Sequence, residues 1–310
     1  MTRALDALRG KLSTRAALAS VALALTLLIA KSWAAWATDS TAMLGSLADT
    51  ALDLVASLAT LAGVRIAAQP ADHDHRFGHG KAEALVALGQ VVLIAVSAIG
   101  IAWRAIDRLI HGGTTAEMGI GIGVSLFAIA ATFALLAFQK RVIASTGSIA
   151  IRTDNVHYKS DLMLNSAVIA ALLLDQWLGI SGADAAFGIA IALWLLFGAW
   201  RASGEAVNQL MDREWPEQER ATFLAAAAEY PELAGLHDLR TRTSGTHHFA
   251  QFHVWVPADW TVREAHDCMD NIEEQLQQRF PGTEILIHLD PEGHTDRETM
   301  LSSDLTESSG

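Results

Sequence analysis

An all-α membrane domain of six transmembrane helices, followed by a small α/β domain, is the fold class this chain predicts. Three observations predict it. Up to about Asn208 the chain is rich in Ala, Leu, Ile, Val and Gly with few charges, and beyond that it turns polar and acidic. The first part holds six stretches, 16–37, 42–67, 82–108, 117–139, 149–175 and 184–207, each near the ~20 residues that cross a bilayer as a helix. Lys and Arg also favour alternate connections. Arg76 and Lys81 fall between the second and third stretches and Lys140, Arg141 and Arg152 between the fourth and fifth, whereas Thr38-Asp39-Ser40 and the stretch 175–184 carry none. The positive-inside rule then puts both termini and the even-numbered connections of a multi-pass protein in the cytoplasm.

Taken in order, the first stretch must be distinguished from a signal peptide. Arg3, Arg9, Lys11 and Arg15 precede it, and Ala35-Trp36-Ala37 could pass for a cleavage site. Its apolar run is longer than a usual signal core and further apolar segments follow, so it is expected to be a retained helix. Arg104 and Arg108 oppose the charge bias at the outer end of the third stretch and, like Lys31, are expected to snorkel. Gly119, Gly121, Gly123, Gly188 and Ala192 are expected to serve close helix packing. Asp39 is expected to be a turn residue.

From residue 209 to 294 the pattern is that of an αββαβ domain, an open-faced sandwich. Pro216 opens a helix over 217–229. Alternating stretches 236–243 and 246–256 read as strands joined by the turn Ser244-Gly245. Apolar spacing at Val262, Ala265, Met269, Ile272 and Leu276 gives a helix over 262–280. Pro281-Gly282 stops it before a third strand over 284–289. The domain division expected is therefore 1–208, 209–294 and an acidic, Ser/Thr-rich tail over 295–310 that is disordered.

A net charge of −12 argues against nucleic-acid binding. The single cysteine, Cys268, leaves no internal disulfide and no thiolate-rich metal site, so metal chemistry must use His and carboxylates.

Such groups sit inside the spanning stretches. Asp49 and Asp53 in the second, and His157 and Asp161 in the fifth, are each four residues apart, hence on one helical face. Asp49 and Asp53 fall about 10 and 16 Å in from the outer end of their stretch at 1.5 Å per residue. The stretches run in opposite directions, so the two clips can meet at similar depth. Three carboxylates and one imidazole make a four-ligand N/O cage suited to Zn²⁺, or to Cd²⁺ or Fe²⁺, better than to Mg²⁺ or Ca²⁺. Ionisable groups in a bilayer are costly and mark ion paths. The expectation is a transporter of a metal dication.

The pattern Asp49-x-x-x-Asp53 with His157-x-x-x-Asp161 resembles the cation diffusion facilitator family. So does the segment Asp72-His73-Asp74-His75-Arg76-Phe77-Gly78-His79-Gly80-Lys81-Ala82-Glu83, which looks like the family's loop before its third helix. The resemblance covers residues 15–290 and is nearest to the bacterial zinc/iron-efflux branch. It implies a homodimer that exchanges a cytoplasmic divalent cation for protons by alternating access, with a metallochaperone-like, ferredoxin-like cytoplasmic domain. It also implies a second metal site at Asp72, His75 and His79, the last two at helical i,i+4 spacing, and a pairing of Lys81 with Asp212. In the cytoplasmic domain it implies a binuclear zinc site of regulatory or structural role at His237, His253, His266, His288 and Asp290. His73, Asp74, His247, His248 and His294 fall outside the family pattern.

Two other classes remain at this point, an intramembrane metalloenzyme and a membrane-anchored metal sensor. The chain has no His-Glu-x-x-His, no Gly-x-Ser-x-Gly and no Gly-rich phosphate loop, so no enzymatic activity is expected. A mere anchor would not need four ligands within its spans.

Overall fold

The computed structural model of the chain describes residues 2–38, 41–111, 120–178, 183–245 and 247–293. Asp39, Gly119, His294 and the tail 295–310 lie outside them. The chain divides into two compact units, one of residues 7–211 and one that begins at Asp212 and includes the first six residues.

The first unit is a bundle of six helices: α1 (Thr2–Thr38), α2 (Thr41–Ala67), α3 (Ala82–His111), α4 (Ile120–Thr146), α5 (Ile149–Leu178) and α6 (Ala183–Leu210). Five of these described helices are long and apolar enough to cross a membrane. The other, α5, is as long but carries Arg152, Asp154, Lys159 and Asp161. Several helices outrun the apolar stretches that announce them. Helix α1 starts near the N-terminus because nothing before Ala16 breaks it, and Gly10 gives room for the close approach of Ala68. Helix α4 runs on to Thr146 and stops where Gly147 takes a φ of +67°, which a residue with a Cβ resists. Ser148 then caps α5, its Oγ accepting from the Ile151 N–H at 3.3 Å while its hydroxyl donates to the buried Glu83 at 2.7 Å. Lys140, Arg141 and Arg152 therefore sit on helix ends and not in a loop.

Contact pairs show an up-and-down bundle. Asp49 near the start of α2 meets Arg104 near the end of α3, and Thr60 farther along α2 meets Gln90 nearer the start of α3. Helix α3 packs along α6, and at Gly63 a Cβ would run into Val86 of α3. Trp36, Trp103 and Trp200 are exposed on the bundle surface, as suits an interfacial aromatic belt.

The second unit has α7 (Glu217–Ala227), a 3-10 turn (Pro231–Leu233), β1 (His237–Ser244), β2 (His247–Val256), α8 (Val262–Arg279) and β3 (Thr283–Pro291). Strand order is β1-β2-β3, with β1 antiparallel and β3 parallel to β2. This is the αββαβ arrangement that the alternation predicts. In β2, Phe252, Val254 and Val256 face the core while Gln251, His253 and Trp255 take the other side. Thr261 and Glu264 close a capping box at the start of α8. Val262, expected on the apolar stripe, is exposed instead, and the buried stripe begins at Ala265.

Candidate metal sites

The side chains predicted to form the cage converge inside the bundle. His157 Nε2 lies 3.0 Å from Asp53 Oδ1 and 4.0 Å from Asp161 Oδ2. One ligand atom from each of Asp53, His157 and Asp161 falls within 4.8 Å of the others, the spacing of a shared ion. The three residues line a cavity of about 560 Å³ together with Asp49, Lys31 and Arg104. Asp49 stands apart from the triad. Its carboxylate lies 3.8 Å from Arg104 Nη1, in the more exposed part of the site. Lys31 and Arg104 therefore differ from the snorkelling expected of them, since both turn to the cavity; Lys31 Nζ donates to Thr50 Oγ1 at 2.6 Å.

The triad is held by its neighbours. The Tyr158 hydroxyl donates to the Ser20 carbonyl at 3.0 Å and so accepts from Ser57, which ties α5 to α1 and α2 beside His157. Asn165 donates to the Asp161 carbonyl at 2.7 Å. One acidic residue not singled out by the sequence pattern lies a turn below His157. Asp154 is fully buried and accepts from Ser20, Gln139 and Gln90. Its signal in the sequence is plain in retrospect: a carboxylate in a spanning segment, on the His157 face at i,i−3.

The loop between α2 and α3 gathers Asp72, His75 and His79 into a second cluster of ligand size. His75 Nδ1 and His79 Nε2 lie 3.3 and 3.4 Å from the Asp72 carboxylate. The convergence does not use a helix, as the i,i+4 spacing suggested. Helix α3 starts only at Ala82, and Gly78 with φ +77° reverses the chain between the two histidines. The His75 N–H donates to Asp72 Oδ1 at 2.6 Å, and this bond above all holds the Asp72 carboxyl below its usual range. His73 pairs with Asp74 outside the cluster. Lys81 donates to the Leu210 carbonyl at 3.2 Å. Asp212 belongs to the other unit, where it lies 3.8 Å from Arg242 Nη1.

The third cluster is built by strand register. His237 pairs with His253, and His253 with His288, so three histidines form one row across the sheet. Asp290, two residues along from His288, reaches the same face. His253 Nδ1 donates to Asp290 Oδ2 at 2.9 Å, and His237 Nε2 and His288 Nε2 lie 3.4 and 3.5 Å from the same carboxylate. Burial pushes the Asp290 carboxyl upward, but the His253 hydrogen bond and the three histidines prevail and the net shift is downward. His237 Nδ1 sits 2.9 Å from the Gly235 carbonyl, so a proton there leaves Nε2 as the ligand atom. His266 pairs with Asp270 on its own helix at 3.2 Å, exposed to solvent.

The cation efflux transmembrane domain matches residues 17–211, and the cation efflux cytoplasmic domain matches residues 215–292. The chain belongs to the cation efflux, or cation diffusion facilitator, family. All three clusters lie inside the matched segments. Among the family's members, the cation-efflux pump FieF of Salmonella newport (strain SL254) is 42% identical over 289 residues, which cover 93% of this chain and 96% of that protein. The pump of the same name from Klebsiella pneumoniae subsp. pneumoniae is 41% identical over 282 residues, 91% of this chain and 94% of that one. A solved structure of the candidate zinc transporter CzrB is 38% identical over 26% of this chain and 99% of its own, with a TM-score of 0.24. The relatives are pumps, and metal-cation efflux across a membrane is the activity of the family.

Proposed function

We propose that the chain exports Zn²⁺, with Cd²⁺ or Fe²⁺ as alternative cargo, from the bacterial cytoplasm in exchange for protons, as an inner-membrane homodimer with both termini cytoplasmic. The observation that carries this reading is the Asp53–His157–Asp161 triad, set in a cavity within a bundle of membrane-length helices. Nitrogen and oxygen donors at this spacing suit zinc, and Asp49, one turn from Asp53, would complete the cage on leaving Arg104.

The coupling follows from the donors. His157 Nε2 and an Asp53 oxygen lie 3.0 Å apart, a hydrogen bond that, made by a doubly protonated imidazole, places an exchangeable proton on the atoms a metal would take. A dication can take the site only as that proton leaves, because metal binding needs the imidazole nitrogen bare and the carboxylates ionised. Loading from the cytoplasm therefore expels protons, and protons entering from outside reoccupy the donors and release the metal. The cavity lining supports an outward-facing state: Lys31, Asp49, Arg104 and Gly188 lie toward the helix ends remote from the histidine loop. The loop cluster would hold metal at the cytoplasmic mouth. The His237–His253–His288–Asp290 row, with His266 nearby on α8, would hold regulatory zinc that favours the dimer.

The test is zinc flux into and out of proteoliposomes, with and without an imposed pH gradient, for the native chain and Asp53→Ala. Gradient-stimulated flux that the substitution removes is expected. Zinc binding with no flux under any gradient overturns the reading.

A further inference from the structure

Between the cage and the histidine loop the bundle contains a closed polar layer. Ser20 of α1, Thr60 of α2, Gln90 of α3, Gln139 of α4 and Asp154 of α5 compose it, each at most 2% exposed. The cavity's deepest lining residues on these helices are Leu27, Ala56, Leu93, Thr132 and His157. The layer lies three to seven residues beyond them toward the loop end, about 5 to 10 Å at 1.5 Å per residue.

Three features of this layer call for a cation. First, Asp154 is surrounded by neutral donors only. Ser20 Oγ and Gln139 Nε2 donate to its Oδ2 at 2.6 and 2.7 Å, and Gln90 Nε2 approaches Oδ1 at 3.3 Å. A carboxyl held only by neutral dipoles inside a membrane bundle ionises at high cost unless a cation joins it, and an ionisable group there marks an ion path. Second, Oδ1 is the less occupied oxygen, since its one bond is long. Third, the Gln90 side-chain oxygen is buried with no hydrogen-bond partner. Removing a partner from such a carbonyl is costly, so an unmatched one in a polar layer points to a guest. Gln90 Nε2 sits between Asp154 Oδ1 and Thr60 Oγ1, so a half-turn of that amide would set its oxygen between theirs.

We propose that Asp154, with Gln90 and Thr60, forms a transient divalent-cation station on the path between the histidine loop and the cage. The proposal rests on the transport reading above. With the Gln90 amide turned to present its oxygen, the donors are all oxygen, so the station holds zinc less tightly than the histidine-bearing cage and passes the ion on. In the present state the layer is shut, and Ser20 and Gln139 occupy Oδ2 of Asp154. Parting of α1 and α4 from α5 would free that oxygen as the ion arrives from the cytoplasmic side.

The experiment compares zinc transport by the full chain in proteoliposomes with the zinc-binding component that Asp53→Ala removes. In Asp154→Asn the KM for zinc presented on the cytoplasmic face should rise at least ten-fold, while cage affinity stays within two-fold of native. A double variant, Asp154→Asn with Gln139→Glu, returns the carboxylate to the layer from the neighbouring helix and should recover most of the loss. A native KM in Asp154→Asn overturns the proposal and leaves the transport reading intact. So does a loss that the double variant, eluting as a folded protein, fails to repair. A native chain that moves no zinc overturns both.

Discussion

The cage in the bundle and the histidine row on the sheet use the same donors under different mechanical constraint. In the bundle, Asp53 and His157 come from helices whose contacting residues are 104 positions apart, and among the described residues no backbone hydrogen bond joins α2 to α5. Side-chain packing alone sets their distance, so the ligands separate whenever the helices slide. In the sheet, His237, His253 and His288 are locked by the ladders of β1, β2 and β3, and the buried Asp290 bridges the row. A one-residue slip there would turn the whole set to the other face. Donors on independent helices suit an ion that must leave. Donors on registered strands suit one that stays.

The comparison is tested most severely by removing one carboxylate from each. Asp161→Ala is expected to abolish zinc flux while leaving elution and helicity native, and Asp290→Ala is expected to leave turnover within a few-fold of native but to remove zinc-induced thermal stabilisation. Measured side by side, the reverse pattern would break the division of roles. Next in size is His157→Asp, which replaces the one nitrogen of the cage by oxygen and should erode the preference for Zn²⁺ over Mn²⁺. Competition between the two ions in the flux assay reads this, and an unchanged ratio contradicts it.

Smaller still is the effect of Arg104. Its guanidinium lies 3.8 Å from the Asp49 carboxylate, a half-exposed pair whose strength is limited by solvent. Arg104→Gln should tighten zinc retention a few-fold and slow release, seen as a lower dissociation rate; equal rates would leave the pairing without consequence. The smallest effect is outside all sites. Arg279 grips Glu229 through two bonds of 2.6 and 2.8 Å, and the Arg279 hydrogen bonds hold the Glu229 carboxyl below its usual 4.5. Because the folded value is depressed, the pair's contribution is full above pH 4.5 and fades as pH falls through the lower folded value. The stability difference between native and Glu229→Gln, followed by denaturant titration of the full chain, should shrink on acidification.

Much of the site was open to a reader of the sequence. Two i,i+4 pairs within apolar runs place Asp53 opposite His157 as soon as the helices are known to alternate, because helical periodicity is local and the bilayer sets a common depth. The Asp72 cluster is implied by the family resemblance, and the structure changes only the spacing argument set beside it. Four-residue spacing suggested a helix, yet Gly78 in the left-handed region and the late start of α3 bring His75 and His79 together through a turn. Asp154 passed unnoticed because the residues that give it meaning, Ser20, Gln90 and Gln139, are scattered over more than a hundred positions.

What the sequence by itself determined is the sequence of elements, the two parts of the chain and the donor types, since apolar length, alternation and residue chemistry act over a few neighbours. Tertiary structure alone decided that Asp49 turns to Arg104, that Lys31 faces the cavity, that three histidines share one strand row and that Asp154 lies sealed below the cage. Each of these depends on which distant helix or strand lies alongside, and that choice is made by packing and burial over the whole unit, where no short stretch of sequence carries the information.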